Sequence, residues 1–374
     1  MPDHITHDPI YNTLDRDNFL GMIENDRYNE RTDAFDSIIS ATVDHFWDPT
    51  DPTYIDFSAD FPIRDETLMP REMVPELNSA VADRLDERQK VRLANENTRF
   101  MLSNILHGEQ GALSLSASLC QILRDPGAQE YAANQTREEA RHVTGFAKYV
   151  FRRWDGPLNA GPTLGRMLNE LVLAPEVYKK LVGMQMLIEG LAMGAFATIH
   201  SRTNDPVLRK LVQLVMTDEA FHHKFGKIWA ERTVPKLTEE EHEKVEAWAA
   251  DVFQHLLFNL INAEQKQQIY REFGLDWQWV RSAVMEAFGD ADRRRMMTQS
   301  TNIFRVLIKT LLKAGIITDR TKAVYGTWVD MEELSQEDDE VVGSDVAEEG
   351  ITYLRDINRN RKKIGKALKE RPAA

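Results

Sequence analysis

The amino-acid sequence predicts an all-α protein built around four long helices. Two observations predict this class: helix-starting pairs that end in proline recur along the chain, and apolar residues surround the candidate ligands at helical spacing. A lone Glu is also followed thirty residues later by Glu-x-x-His, and this happens twice. The six residues of that repeat are Glu109, Glu139, His142, Glu189, Glu219 and His222.

Proline marks where three of the four helices begin. Asp125-Pro126 starts the second helix, Ala174-Pro175 the third and Asp205-Pro206 the fourth, since proline is favoured in the first turn. The first helix therefore ends near Arg124. Short turns join the helices within each pair, and residues 154–173 form a longer crossover between the pairs.

Helices continue after this bundle. Caps and breakers predict three more, over 238–263, 276–288 and 290–314, with Gly289 and Gly315 as stops. These helices are expected to pack around the first four.

The chain divides into three parts. Residues 85–325 form one helical domain, because no linker rich in Gly, Ser or Pro interrupts it. Residues 1–84 alternate aromatic, proline and acidic residues, which predicts an irregular N-terminal extension that wraps the bundle. Residues 326–374 form a charged C-terminal tail, solvated or partly disordered, with docking of a partner as the alternative.

Composition narrows the class of function. The 374 residues carry 46 Lys and Arg against 60 Asp and Glu, and the net charge of −14 disfavours nucleic-acid binding. No run of about 20 apolar residues and no signal-peptide pattern was found, so no membrane span and a cytoplasmic location are expected. The single cysteine, Cys120, fits that compartment and excludes an iron–sulfur cluster.

The residue types of the repeat suit a metal centre. Residues i and i+3 share one face of a helix, so the two side chains of each Glu-x-x-His can bind the same metal ion. The two lone glutamates, Glu109 and Glu189, are then expected to bridge the ions. Carboxylates and imidazoles suit Fe(II), Mn(II) or Zn(II). The alternative is a buried structural network, because a core admits charged residues only when they are paired.

One further Glu-x-x-His is not expected to bind metal. Glu239 and His242 have the same spacing, but Thr238 and Glu241 form a capping box around them. Helix capping explains this motif without a metal ion.

Residues beside the repeat extend the hypothesis. Glu138 and Asp218 each precede a ligand Glu, where they can accept a hydrogen bond from a ligand histidine of the opposing helix, and Arg141 can balance their charge. Ordinary helix-surface charges are the alternative. Seven neighbours of the lone glutamates are candidates to line a substrate cavity, or plain core. They are Ala112, Leu113, Ser116, Gln185, Met186, Ala192 and Met193.

These motifs resemble those of the ferritin-like di-iron carboxylate superfamily. The local likeness is nearest to aldehyde-deformylating oxygenases, in Gly108-Glu109-Gln110, in Glu139-Ala-Arg-His142 and in Asp218-Glu219-Ala-Phe-His222, and it covers about residues 90–235. The resemblance implies a ferritin-like four-helix bundle with one crossover. It also implies that the six residues bind two iron ions, or a Mn/Fe pair, with O2 as cosubstrate.

The same resemblance implies a monooxygenase-type oxidation of an apolar or aromatic substrate. An external electron donor, ferredoxin-like or a reductase, is expected because the chain lacks a nucleotide-binding Gly-rich motif. A homodimer is expected by analogy alone.

Departures from the superfamily leave the reaction open. Ala192 and Met193 stand where desaturases and many hydroxylases have a threonine, Phe146 where reductase subunits have a radical tyrosine, and Val215 where arylamine N-oxygenases have a third histidine. The sequence therefore does not distinguish hydroxylation, N-oxygenation, desaturation and deformylation as the reaction. A radical-storing or Mn/Fe ligand-binding oxidase subunit, a ferroxidase and a purely structural metal are the alternative functions.

Overall fold

A computed structural model describes residues 13–289, 303–337 and 342–359 of the chain. Within these ranges the protein forms helices and no β-strand, which confirms the all-α class. An isolated bridge between Thr13 and Leu123 ties the first described residue to the end of a long helix.

Four long helices hold the six residues of the repeat, and a fifth, shorter helix lies between the two pairs. In chain order they are α1 (Glu87–Ile122), α2 (Pro126–Arg153), α3 (Pro162–Leu173), α4 (Lys179–Arg202) and α5 (Pro206–Thr233). Helix α1 packs along α2, α4 packs along α5, and α2 also touches α5. Each residue of the repeat lies well inside its helix, away from the frayed ends.

Side-chain caps fix two of the predicted helix starts. Asp125 accepts a hydrogen bond from the Gly127 backbone, and Asp205 accepts one from Val207, each with proline in the first turn. Helix α1 ends at Ile122, close to the predicted end. Such caps stabilise a helix by about 1 kcal/mol each.

The predicted start of α4 at Ala174-Pro175 is close to the observed one, since helical structure begins at Val177. Within it, Lys179–Ile188 is a π-helix that continues as α-helix from Glu189 to Arg202. A π-helix joins residues i and i+5 by hydrogen bonds, which changes the direction in which its side chains point, and such segments occur often at functional sites.

The crossover between the two pairs is partly helical, which the sequence prediction missed. Pro162 occupies the first turn of α3, and Leu168 and Leu171 are buried. Gly111 makes room for Leu168, since a Cβ at Gly111 would lie 2.7 Å from the Leu168 side chain. Helix α3 thereby packs against α1.

Three later helices match the predictions within the described ranges. They are α6 (Glu239–Ile261), α7 (Trp277–Ala287) and α8 (Ile303–Lys313). Gly315 follows α8 with φ +72°, a left-handed conformation that suits a glycine stop. The first part of the third prediction, 290–302, lies outside the described residues. Shorter helices are Gln267–Glu272, Lys322–Tyr325 and Met331–Gln336, with 3₁₀ turns at Val234–Lys236 and Ala263–Lys266.

The N-terminal segment has only short elements. They are α-helical at Phe19–Met22 and Asp36–Ala41 and 3₁₀ at Asn25–Asn29, Arg71–Met73, Pro75–Asn78 and Ala82–Arg84. Between them the chain is irregular, yet Trp47, Tyr54 and Ile55 are buried in one apolar cluster with residues of α2 and α5. The extension is therefore held by hydrophobic burial more than by secondary structure.

The expected solvated tail is wrong for residues 344–359. They form α9 (Ser344–Arg359), which packs along α5 and buries Leu354 completely. Tyr54 donates a hydrogen bond to Asn358 at 2.6 Å, and Arg355 pairs with Asp44 at 2.9 Å. Helix α9 has an apolar face as well as a charged one. Burial of the apolar face against α5 stabilises the docked helix, while the charged face stays in water.

A glycine allows the close approach of α9 to α5. A Cβ at Gly350 would lie 2.4 Å from Cγ2 of Thr217, next to Asp218. We expect Gly350→Val to lower the free energy of unfolding by about 1–3 kcal/mol through overpacking, measured by chemical denaturation. The control is Glu348→Val, which introduces the same residue at an exposed position of α9. Equal losses in the two variants would show that α9 does not pack as described.

Helix α4 is long and apolar enough to cross a membrane by length and composition, contrary to the expectation that no segment would be. In its most apolar window, 67% of the residues are buried inside the protein. It is the one such helix among the described residues, and a buried core helix passes the same test.

Candidate metal centre

The structure brings all six residues of the repeat together in the interior. They form two groups of four ligating side chains, and within each group the ligand atoms lie within 4.8 Å of one another. One group is Glu109, Glu139, His142 and Glu219; the other is Glu139, Glu189, Glu219 and His222. Each group could hold a metal ion, so the centre could hold two.

The sharing of ligands differs from the sequence-based expectation. Glu139 and Glu219 belong to both groups, whereas Glu109 and Glu189 belong to one group each. If each group held an ion, Glu139 and Glu219 would lie between the two ions and the lone glutamates would each serve one ion. The reason is geometric: α2 and α5 are in direct contact, so their glutamates meet between the two groups.

The two imidazoles turn the same nitrogen toward the carboxylates. Nδ1 of His142 lies 3.1 Å from a carboxylate oxygen of Glu109 and 3.1 Å from one of Glu219. Nδ1 of His222 lies 2.9 Å from Glu219 and 3.1 Å from Glu139. Nδ1 is thus the atom that each histidine offers to the interior of the centre.

The donor set fits two divalent metal ions. Three buried carboxylate oxygens, one each of Glu139, Glu189 and Glu219, accept no hydrogen bond from the described residues. A buried carboxylate oxygen that accepts no hydrogen bond is costly, and a metal ion would satisfy it. Four carboxylates and two neutral imidazoles supply the charge and the oxygen and nitrogen donors that Fe(II), Mn(II) and Zn(II) use.

The outer nitrogens of the histidines are held as predicted. Nε2 of His142 hydrogen-bonds to Asp218 of α5 at 2.8 Å, and Nε2 of His222 hydrogen-bonds to Glu138 of α2 at 3.0 Å. These contacts confirm that each carboxylate serves the histidine of the opposing helix. They fix the orientation of the rings and leave Nδ1 free for a metal. Arg141 donates to Asp218 at 2.9 Å, so the predicted charge balance is also confirmed.

Two residues of this outer layer were missed by sequence reasoning. His45 lies between the two outer carboxylates, 3.2 Å from Asp218 and 3.5 Å from Glu138. Trp47 donates its ring N–H to Asp218 at 2.9 Å. Both side chains are fully buried although they belong to the irregular N-terminal segment. No spacing relates them to the helical repeat, and only the aromatic character of Phe46-Trp47 signals that the segment is anchored.

The His45 cluster is better explained as a hydrogen-bonded network than as a third metal site. His45, Glu138 and Asp218 could by distance hold an ion. However, the Arg141 guanidinium contacts Glu138 and Asp218 and already supplies positive charge to both carboxylates. A cation there would have to enter against that charge.

Burial and mutual contact shift the acidities of the centre. Burial raises the pKa of Glu109 and of Glu189 well above the ordinary value. Burial alone would lower the pKa of His142 and His222, but the neighbouring carboxylates outweigh it and raise both. Burial would raise the pKa of Glu219, yet the two imidazoles hold it below its ordinary value. Without a metal ion, the histidines and the two lone glutamates therefore hold protons more tightly than exposed groups of the same type.

We expect metal binding to release protons and to strengthen with pH. In protein stripped of metal, the raised pKa values of His142 and His222 keep these ligands protonated at neutral pH, so a metal ion must displace the protons. The apparent affinity for Zn(II) should therefore fall by about tenfold for each unit by which the pH is lowered, per proton released. Calorimetry in buffers of different ionisation enthalpy counts the protons. A count of zero would contradict the assignment of these residues as ligands.

The third Glu-x-x-His is a helix cap, as predicted. Thr238 and Glu241 form the capping box of α6, and the side chain of Glu239 is almost fully exposed. His242 contacts the Gly315 carbonyl at 2.8 Å. This motif lies apart from the two ligand groups and serves below as a control.

The candidate cavity residues lie mostly in the core. Ala112, Ser116, Gln185, Met186 and Met193 are buried, whereas Leu113 and Ala192 are half-buried. Burial fits both readings of these residues, core and cavity lining.

Comparison with models of protein families, with curated proteins and with solved structures found no match to this chain. Its function is therefore inferred from the chemistry of the centre. Two adjacent groups of buried carboxylates and imidazoles could hold two metal ions that share ligands.

Proposed function

We propose that the protein is a non-haem di-iron oxidoreductase that uses O2 to oxidise an apolar or aromatic substrate. In this proposal the four long helices form a ferritin-like bundle around the metals. One observation carries the proposal: two buried groups of four ligands share Glu139 and Glu219. A structural zinc site is almost always a closed four-coordinate site.

Iron fits the donor set and the charge. The four carboxylates balance the four positive charges of two Fe(II) ions, and the histidines bind as neutral ligands. When bound, two neighbouring iron ions supply the electrons with which O2 is activated. A mixed Mn/Fe pair would satisfy the same ligands.

The surrounding residues hold the ligands in place. Asp218 and Glu138 orient the two imidazoles, and Gln135 donates a hydrogen bond to Glu139 at 3.1 Å. Phe146 and Met193, one turn after His142 and Glu189, are fully buried. Ligands held in this way cost little rearrangement when a metal binds.

The substrate and the donor follow from what the chain provides. Apolar residues dominate the inner faces of the ligand helices, which favours an aliphatic or aromatic substrate. The sequence has no Gly-rich nucleotide-binding motif, so the reducing electrons are proposed to come from a ferredoxin-like protein or a reductase.

The test is rapid mixing of anaerobic Fe(II)-loaded protein with O2, combined with metal analysis. We expect two irons per chain and a transient visible absorbance band, both lost in Glu139→Ala and both kept in Glu239→Ala. A single Zn(II) per chain without any band would refute the proposal. Iron oxidation that continues into a mineral core would indicate a ferroxidase, and a persistent radical signal would indicate a radical-storing subunit.

A further inference from the structure

A cavity lies where three distant parts of the chain meet. Its volume is about 360 Å³, which is in the range of cavities that bind small molecules. The irregular N-terminal segment contributes residues 52–56, the start of α5 contributes Pro206, Val207 and Lys210, and α9 contributes Tyr353. None of the residues that line the cavity is a candidate metal ligand, so it is a second candidate site.

Most of the cavity wall is apolar or aromatic. Ile55 and Val207 are buried side chains of the wall. Tyr54 also lines the cavity, but its hydroxyl already donates a hydrogen bond to Asn358 at 2.6 Å. A bound molecule would therefore contact mainly alkyl groups and rings, which favours a ligand with an apolar body.

Lys210 brings an amine into this apolar cavity. The side chain is half-buried, and its nitrogen lies 3.2 Å from the centre of the Tyr353 ring. The nitrogen donates a hydrogen bond to the side-chain oxygen of Gln213 at 3.1 Å, and it pairs with no carboxylate of the described residues. A ring and an amide stabilise an ammonium less than a carboxylate does. The positive charge of Lys210 is therefore weakly compensated.

Burial makes the neutral form of this amine accessible. It lowers the pKa of Lys210 to about 8. At about pH 7.5, roughly a quarter of such an amine is neutral, against about a thousandth for an exposed lysine. The neutral amine is the nucleophilic form, and lysines desolvated in apolar pockets are those that react with carbonyl compounds.

The charges that line the cavity favour a neutral ligand. Asp56 lines it together with Lys210 and accepts a hydrogen bond from the Ser58 backbone at 2.9 Å, which helps to lower the pKa of its carboxyl group. An anionic ligand would be attracted by Lys210 and repelled by Asp56, and a cation would meet the reverse. Net charge therefore gives a ligand little affinity for this cavity.

We propose that the cavity binds a neutral aldehyde or ketone with an apolar body and that Lys210 captures it as an imine. The neutral amine nitrogen attacks the carbonyl carbon, two protons move from nitrogen to oxygen, and the carbon–oxygen bond breaks as water leaves. One amine and one carbonyl compound thus give one imine and one water, and no oxidant or reductant is needed. The Tyr353 ring would stabilise a protonated imine as it stabilises the ammonium. The inference does not depend on the proposed function of the metal centre.

The first test is reductive trapping on the full-length protein. Hexanal is added with sodium cyanoborohydride, which reduces an imine to a stable secondary amine, and peptide mass spectrometry locates the product. At about pH 7.5 we expect Lys210 to be alkylated at least about tenfold faster than Lys244. Lys244 is more exposed and pairs with Glu240 at 3.4 Å. Equal rates at the two lysines, or no product at Lys210, would overturn the proposal.

A pair of variants connects the fast reaction to this amine. Lys210→Arg keeps the positive charge but removes the nucleophile, so the fast phase of hexanal uptake by the intact protein should disappear with an unchanged Tm. Lys244→Arg is the matched control and should keep the fast phase. Loss of the fast phase in both variants, or in neither, would overturn the assignment to Lys210.

The role of the cavity is tested by changing the body of the aldehyde. Formaldehyde has the same reactive group as hexanal but no apolar body. We expect the ratio of rates at Lys210 and Lys244 to be at least about threefold smaller for formaldehyde than for hexanal, because the cavity wall binds only the longer molecule. An equal ratio for the two aldehydes would show that the cavity contributes no binding, and would overturn the site.

Discussion

Glu139→Ala and Glu219→Ala each remove both metal ions, whereas Glu109→Ala and Glu189→Ala each spare one. This outcome is expected because the first two residues belong to both ligand groups and the last two to one group each. The bridging variants should therefore bind less than about a tenth of the metal at equal free concentration, since each group loses a ligand. Metal content per folded chain, measured after dialysis against buffered Zn(II) or Fe(II), checks the prediction.

The control is Glu239→Ala, which alters a Glu-x-x-His that caps a helix. It should keep the full metal content, because the Glu239 side chain lies in solvent. Equal losses for all four core glutamates would contradict the assignment of two of them as bridges and return the lone glutamates to that role.

Asp218→Ala is expected to be the most destabilising substitution of the outer layer. The Asp218 carboxylate accepts hydrogen bonds from His142, Trp47 and Arg141 and is fully buried. Its removal leaves the Arg141 charge buried beside fewer partners, which should cost about 3–5 kcal/mol of folding free energy. Loss of the His142 contact should also weaken metal binding by about 10–100-fold. Denaturation and chelator competition measure the two effects.

Two variants separate the charge from the shape. Asp218→Asn keeps the volume and one acceptor, so it should recover part of the stability lost in Asp218→Ala. Asp251→Ala removes an exposed aspartate and should change stability by less than about 0.5 kcal/mol. A loss in Asp218→Ala as small as in Asp251→Ala would mean that Asp218 does not hold the layer together.

The sequence predicts the inner residues of the centre better than their arrangement. Helical periodicity places His142 one turn after Glu139, and that relation survives any packing of the helices. Which glutamate lies between the two ions depends on how closely α2 approaches α5, and spacing along the chain does not encode that distance. For this reason the sequence analysis expected Glu109 and Glu189 to bridge, whereas Glu139 and Glu219 are the residues that both groups share.

In the fold, too, features set by neighbouring residues could be predicted and features set by distant contacts could not. Caps such as Asp125 and Asp205 act within a few residues, so the helix starts they mark could be predicted. The docking of α9 and the burial of His45 depend on contacts with distant parts of the chain, for which no local signal exists. The π-helix before Glu189 likewise arises from packing, because the intrinsic preferences of its residues favour an ordinary α-helix.

The segment of residues 44–47, which carries His45 and Trp47, is held in part by hydrogen bonds from α9. Asn358 of α9 donates to the Phe46 carbonyl at 2.8 Å, and the pairing of Tyr54 with Asn358 spans 304 residues. During synthesis the four ligand helices leave the ribosome before α9 does. The contacts between α9 and this segment therefore form only after the helices that supply the ligands have been made.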